Sequence, residues 1–408
     1  MGKTAADARA VMASGDWITR QRLVVYPLLM LTLIVATTGY VLASNGGLLP
    51  NGAPFGSDFV SYWVAARQAL AGAPHLPYDR ALFEPAQAAH FPQSGYFAFF
   101  YPPHYLAYML PLGALPYYGA LGLWMGVSFA AAASMLVAIA GHGRRTVILA
   151  LAFPAAFLTL AHGQNAFLSA ALFGGGLYLL PRRPVLAGIL FGLLTFKPQL
   201  GLLIPLALVA AGQWRAIAAA GATLLALIAA SLGLFGASTW LAFLAQSEHA
   251  MQTMQFGLVD WYKMISTYAA LRVAGLGDGA AMTVHLAVAL AVAATIVWAW
   301  LPRSGVTHQT RSALLLTGAL LATPFGLNYD LYLLAPALAF VAARGLRAGF
   351  LPYEKTMMAV LFLAPMALLA MMAAGIAVMP ILLIAWFALL ARRAAAERGA
   401  PMLAQPAE

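Results

Sequence analysis

Acidic side chains are scarce in this chain: 12 of its 408 residues are Asp or Glu. One of them, Asp58, stands in Gly56-Ser57-Asp58-Phe59-Val60-Ser61-Tyr62-Trp63, just after the first long apolar run. A carboxylate beside a membrane face can take a proton from a hydroxyl. Tyr62 and Trp63, one turn on, offer rings that could stack on a sugar. The plainer alternative is that Asp58 or Ser57 is the N-cap of a helix over 59–71. Lys197, in Thr195-Phe196-Lys197-Pro198-Gln199, is the second candidate. An ammonium at membrane depth costs about 2.5–3.5 kcal/mol, so it marks a functional site by default. Its compact charge suits a phosphate, and Pro198 stops the helix from simply continuing. Snorkelling to the outer headgroups is the competing account. Two more polar turns complete the set, Ala161-His162-Gly163-Gln164-Asn165 and Thr323-Pro324-Phe325-Gly326-Leu327-Asn328-Tyr329-Asp330. Gln164 and Asn165 could bind hydroxyls or join helices. Asp330 needs a cationic partner, for which Lys197, Lys263 and Arg80 are the candidates.

The elements that carry these residues follow from composition. The chain is 63% hydrophobic and 8% charged, more apolar than a soluble protein of this length can hide. Its apolar runs are continuous and rich in Leu and Ala, so helices are expected rather than a β-barrel of alternating pattern. There is no Cys, which removes thiol and disulfide chemistry. The net charge of +10 does not point to nucleic acid. The basic residues fall in short clusters between apolar runs, among them Arg20 with Arg22, Arg144 with Arg145, Arg182 with Arg183, Arg344 with Arg347, and Arg392 with Arg393. That is the positive-inside pattern of cytoplasmic turns. It places a cytoplasmic segment at 1–22, one transmembrane domain at 23–391 and a cytoplasmic tail at 392–408. The first apolar segment carries no cleavage site and reads as a retained anchor. Spans are expected near 23–44, 117–140, 146–161, 164–180, 185–197, 199–212, 216–236, 280–301, 312–325, 328–343, 356–373 and 376–391, about twelve crossings. The segment 103–116, interrupted by Pro111 and Pro116, reads as interfacial or re-entrant.

The same topology puts the chemistry on the outside. The first outer loop, 45–102, is long and holds Asp58, Tyr62, Trp63 and the aromatic run ending at Tyr101, with His104 just beyond it. The second, 237–279, holds Asp260 and Lys263 and begins with an amphipathic surface helix over 239–256. The apolar segment 185–196 covers only about 18 Å as a helix, against a hydrocarbon core of about 30 Å. Turns at the ends of such segments lie below the outer surface, where they must be buried in protein or line a wet cavity. His75, His90, His104, His162 and His249 are all outside, but no pair has the i, i+4 spacing of a helical zinc site. No metal or other cofactor is expected. Gly174-Gly175-Gly176 lies within an apolar span and reads as packing rather than a nucleotide loop.

These motifs resemble a known family. Ser57-Asp58-Phe59-x-x-Tyr62-Trp63-x-Ala65-Ala66, then Pro77-Tyr78-Asp79, then Tyr101-Pro102-Pro103, look like the first outer loop of glycosyltransferase family 87. The resemblance continues through Gly163-Gln164-Asn165, Phe196-Lys197-Pro198-Gln199 and Thr323-Pro324…Tyr329-Asp330, over roughly 55–345. It implies an all-α polytopic bundle of the GT-C type in the plasma membrane, with its active site facing the periplasm or cell exterior. It implies inverting transfer of a hexose, mannose among the candidates, from a polyprenyl-phosphate donor to a lipid or glycan acceptor. Asp58 would be the general base, and Lys197 with Gln199 would hold the donor phosphate. Tyr62, Trp63, Tyr101, His104, Gln164, Asn165, Asp260, Lys263, Tyr329 and Asp330 would surround sugar and acceptor. The mannosyltransferase branch carries a His next to the acidic residue of the late Pro-containing turn. The run Asn328-Tyr329-Asp330-Leu331-Tyr332 has none, which leaves sugar and acceptor open. A transporter or flippase of lipid-linked substrates is the alternative, since broken helices with polar turns serve transport too. The long loop 45–102 has no counterpart in the second half, which favours a one-sided enzyme.

Overall fold

The computed structural model describes residues 2–44, 46–49, 52–255 and 261–398. Among them the regular structure is helical, and the only strand-like pairings are two isolated bridges, Leu48 with Pro54 and Met264 with Leu327. A helix satisfies its own backbone groups, which is what an apolar sequence in hydrocarbon requires. Six helices are long and apolar enough to cross a membrane: Arg22–Ser44, Tyr117–Ala140, Trp214–Ser247, Asp278–Trp300, Asn328–Ala348 and Met379–Arg398. The pair Gly143–Ala152 and Pro154–His162, bent by 60°, passes together as one broken span or forms a re-entrant loop. Pro154 lacks the N–H that would continue the ladder, and Phe153 is extended there. The chain is therefore a multi-pass membrane protein. Among the described residues the expected count of about twelve crossings is not reached: Ala166–Leu179, Pro184–Phe196 and Pro198–Ala210 are short, and His308–Ala322, with 15 residues, and Glu354–Ala373 are not among the candidate spans. At 1.5 Å per residue each of the first four reaches about 20 Å, less than the hydrocarbon thickness.

The outer segments fold as helices over the bundle. Phe59–Leu70 buries Phe59, Val60 and Tyr62 through Ala66. Pro103–Met109 and the 3-10 turn Leu110–Ala114 bury His104, Tyr105, Leu106, Met109 and Leu112 without crossing, as the interrupted apolar segment predicts. The surface helix expected over 239–256 is the upper part of one continuous assignment, Trp214–Gln255, that breaks direction at Gly236 (φ 77, ψ 164). Above this bend, Trp240 lies 6.3 Å from the His104 ring and Phe243 lies 5.8 Å from Tyr78. The upper half thus packs against the first outer loop.

The opposite end of the bundle is closed by charge pairs. Arg393 binds the buried Glu354 carboxylate through Nε and Nη2. Glu397 accepts from Arg344, Thr307 and Thr310. The helix His308–Ala322 runs from this cluster at Thr307 to the polar turn at Thr323. The basic ends of the helices and the polar outer turns therefore lie at opposite ends of the bundle.

Pro184–Leu193 packs tightly on Trp214–Gln255 through two glycines, Gly188 and Gly192, where an added Cβ would run into that helix. A Cβ at Gly188 would run into the Ala216 carbonyl oxygen and stand 2.7 Å from the Ala219 Cβ. Small residues permit this close backbone approach between membrane helices. Gly188→Val should therefore lower stability by about 1–3 kcal/mol or more, the range for overpacking. A thermal unfolding midpoint in detergent equal to that of the parent would contradict this contact.

Candidate active site

The Asp58 carboxylate is not a helix cap. Asp58 precedes Phe59–Leu70 with φ −71 and ψ −21, and its side chain makes no capping bond. Its backbone is held instead. The Asp58 N–H donates to the His162 carbonyl at 3.0 Å, and the Gly56 N–H to that of Ala161 at 2.9 Å. Tyr117 donates its hydroxyl proton to the Gly56 carbonyl at 2.7 Å. Gly163 makes this docking possible: it sits at φ 66, and a Cβ there would come within 2.6 Å of the Phe59 Cβ. The carboxylate faces the partner turn. Gln164 Nε2 donates to Asp58 Oδ2 at 2.8 Å, and His162 Nδ1 lies 3.9 Å from Oδ1. The Asp58 side chain keeps 28% of its surface exposed.

Gln164 is oriented from behind. The Tyr62 hydroxyl donates to Gln164 Oε1 at 2.5 Å, so the amide must present its NH₂ to the carboxylate, which only accepts. The Tyr101 hydroxyl stands 2.8 Å from that of Tyr62. Asn165 Nδ2 donates to the Tyr105 hydroxyl at 3.2 Å and to that of Tyr62 at 3.4 Å. The rings of Tyr62, Tyr101 and Tyr105 pack with centroids 4.5–5.4 Å apart, and Tyr105 stacks on Phe196 at 4.8 Å. This stack joins the first outer loop to the turn that carries Lys197.

Lys197 does not snorkel. It is 2% exposed, and its Nζ lies 2.6 Å from Asp330 Oδ1. Asp330 Oδ2 accepts the Leu327 N–H at 3.2 Å. Of the three partners open to Asp330, Lys197 is the one found, while Arg80 pairs with Glu84 on the surface at 3.0 Å. Among the described residues Asp330 is the hydrogen-bond partner of Lys197 Nζ. An ammonium has three donors, and this contact takes one of them. The Tyr329 ring adjoins both turns, 5.1 Å from Lys197 Nζ and 5.9 Å from the His162 ring. The second outer loop closes on the same turn: Ile265 N–H donates to the Gly326 carbonyl at 2.9 Å, next to the Met264–Leu327 bridge.

Asp58, Tyr62, Tyr101, Gln164, Asn165, Lys197, Tyr329 and Asp330 thus share one polar region. Lys263 is exposed on the turn Trp261–Lys263 and acts on Asp58 through its charge. Other expected residues lie apart. Trp63 gives its indole N–H to the Leu115 carbonyl at 2.9 Å and packs against His90, Tyr117 and Arg67. One residue after Tyr62 on a helix, it points about 100° away. His104 is buried 3.5 Å from Thr195 Oγ1, under Trp240. Gln199 is half-buried one residue beyond Pro198 and joins no hydrogen bond of the network. Asp260 lies outside the described residues. Tyr105 joins the network although its position in the sequence marks nothing but an apolar run. His162 also belongs to the site, and its partner lies too far back in the chain for any local spacing to reveal it.

Burial alone would push the Asp58 carboxyl up, but its contacts with His162 and Gln164 and the charge of Lys263 outweigh that, and the carboxyl lies below its ordinary value of 3.8. The group is ionised at neutral pH and takes protons weakly.

Comparison with known proteins adds one match. The model of glycosyltransferase family 87 matches residues 99–324, over half of the chain. No curated protein and no solved structure matches. Tyr101, Gln164, Asn165 and Lys197 fall within the matched span, whereas Asp58, Tyr62, Tyr329 and Asp330 lie outside it and are joined to it by the contacts above.

Two outcomes follow from the charges. Lys197→Met leaves Asp330 buried and unpaired, at a cost of about 3–5 kcal/mol, and adding Asp330→Asn should restore most of it. A chemical-unfolding double-mutant cycle measures this, and additive effects would mean the pair is not coupled. Asp58 has its folded-state proton affinity depressed. Its ionised form therefore contributes stability that is fully present above the ordinary value of 3.8 and is lost as the pH falls below it. In Asp58→Asn the slope of stability against pH on the acid side should be shallower than in the parent.

Proposed function

The chain belongs to glycosyltransferase family 87, and from that premise we propose that it transfers a hexose from a polyprenyl-phosphate sugar to the hydroxyl of a lipid or glycan acceptor outside the cytoplasm. The observation that carries this reading is the Asp58 carboxylate. It is released from capping, fixed through Gln164, and still 28% exposed, in the same polar region as the buried Lys197 ammonium, to which it is coupled by charge.

In the proposed reaction the acceptor hydroxyl donates to Asp58. Its oxygen bonds to the anomeric carbon as the bond from that carbon to the phosphate oxygen breaks, and its proton passes to Asp58. A single displacement from the face opposite the phosphate inverts the anomeric centre. Because Asp58 is a weak base, this transfer belongs late in the reaction, when the attacking oxygen has become acidic. The departing lipid phosphate gains a negative charge, which the Lys197 ammonium is suited to meet. Asp330 holds Lys197 in place and keeps it charged in a dry surrounding. The tyrosine rings form an amphipathic wall suited to a sugar, with apolar faces and hydroxyl edges.

Mannose is one candidate hexose, and the lack of His in Asn328-Tyr329-Asp330 gives no reason to prefer it. The plasma membrane, with the site facing the periplasm or cell exterior, is the location the positive-inside pattern supports.

The test is a set of polyprenyl-phosphate hexoses offered to purified protein in lipid nanodiscs, with mass spectrometry of the products. The parent should transfer at least one sugar. Asp58→Asn should lose roughly 10²–10⁴-fold in turnover, the usual contribution of a general base, with donor affinity unchanged. Turnover at the parental rate in that variant would remove Asp58 from the role. The stable pair variant Lys197→Met/Asp330→Asn should bind donor more weakly.

A further inference from the structure

His162 ends the helix Pro154–His162, and Gly163 caps it in the left-handed conformation. Its backbone carbonyl is the acceptor for the Asp58 N–H. The imidazole is therefore brought beside the carboxylate by the backbone and not by a chance rotamer. Nδ1 is shielded from solvent and has no hydrogen-bond partner, although Asp58 Oδ1 stands 3.9 Å away. A buried polar atom left unpaired calls for an explanation. The ring as a whole is 31% exposed and faces Tyr329, so it borders the same space an acceptor would enter. Catalytic hydrogen bonds are often long until substrate is bound. The two carboxylate oxygens are treated unequally: Oδ2 has the Gln164 amide at 2.8 Å, and Oδ1 has only the weak Ser57 hydroxyl contact at 3.5 Å.

We propose that His162 is a positioning residue for the reaction, whose Nδ1–H closes onto Asp58 Oδ1 when an acceptor binds, holding the carboxylate ionised and aiming its remaining lone pair at the acceptor hydroxyl. This rests on the reading of Asp58 as the general base. His162 forms no bond to sugar or phosphate and exchanges no proton with the acceptor. With His162 and Gln164 each holding one oxygen, the carboxylate can rotate no further, and the acceptor meets a base of fixed direction.

The charged and titratable groups around the pair limit what else could titrate there. Asp58 and Tyr329 face the His162 ring, Lys263 acts on Asp58 by charge, Lys197 is coupled to it, and the turn Asn328–Leu333 packed against Pro154–His162 carries Asp330, which is paired with Lys197. The helix Glu354–Ala373 packs against Pro154–His162, but its charged residues Glu354 and Lys355 lie at the cytoplasmic end. Arg22–Ser44 likewise has its one charge, Arg22, at that end, with Tyr40 exposed near the other.

The experiment compares parent, His162→Ala and His162→Asn in the transfer assay, from pH 4 to pH 8. Asn places an amide N–H near the position of the imidazole Nδ1. His162→Ala should lose about 10–100-fold in kcat, the factor carried by a hydrogen bond to a charged group, with a smaller change in KM. Its kcat/KM should also fall off on the acid side at higher pH than in the parent, because burial then raises the Asp58 carboxyl with one opposing contact gone. His162→Asn should recover most of both. In an Asp58→Asn background, His162→Ala should cost nothing further. A parental pH profile and kcat in His162→Ala overturns the proposal, as does equal loss in Ala and Asn variants that unfold at the parental temperature. Absence of transfer in the parent instead refutes the reading of the site as a transferase.

Discussion

The buried contact between Lys197 and Asp330 is the interaction on which the outer half of this protein depends. Neither charge could remain alone among these helices, because both side chains are almost fully buried and hydrocarbon offers no partner. Each resides in a turn between two apolar helices, so pairing the charges also pairs the turns. A buried ion pair adds little net stability over a well-packed apolar contact, since desolvation offsets most of the attraction. What it supplies is registry: two turns that apolar packing alone would leave free to slide are held at a 2.6 Å contact. The second outer loop then fastens to the same turn through Ile265 and Gly326.

Around that pair the site divides into a rigid and an open part. The rigid part is the cluster of Tyr62, Tyr101, Tyr105, Gln164 and Asn165, joined by hydrogen bonds that leave only the buried Asn165 Oδ1 of this cluster without a partner among the described residues. Linked hydrogen bonds in a low-dielectric surrounding strengthen one another and stiffen the cluster. The open part is the edge formed by Asp58 and His162, both about 30% exposed. Preorganised groups at a partly open edge are what the proposed transfer would need. The solvent cannot reorganise them, and the substrate can still reach them.

Much of this was legible in the sequence, because hydrocarbon leaves few choices. Continuous Leu and Ala runs favour helices there, basic clusters mark one end of the bundle, expected to be the cytoplasmic one, and short helices place their polar turns below the surface. Those three constraints brought Asp58, Gln164, Lys197 and Asp330 to one side before any contact was known. They did not decide direction. A carboxylate before a helix reads the same whether it caps that helix or faces away from it, and only the docking of Gly56 and Asp58 on Ala161 and His162 separates the two. Trp63 shows the same limit, since it adjoins Tyr62 in sequence yet turns to the Leu115 carbonyl. Helix length against membrane thickness was the other limit. Four expected spans are helices too short to cross alone, and composition does not fix how far each extends.

The distances between partners along the chain carry a consequence for how the protein is made. Gln164 follows Asp58 by 106 residues, and Asp330 follows Lys197 by 133. At a synthesis rate of about 5–20 residues per second, Lys197 waits roughly 7–27 s for its counter-charge to leave the ribosome. During that interval the helices on either side of it must enter the bilayer with an ammonium between them and nothing to neutralise it. The short span of Pro184–Phe196 and Pro198–Ala210 suits that wait, because a helical pair that does not reach across can keep its charged turn near the aqueous or translocon side until the later helices arrive. The feature that makes the site recessed in the finished protein is then also what makes its charged residue tolerable while the protein is unfinished.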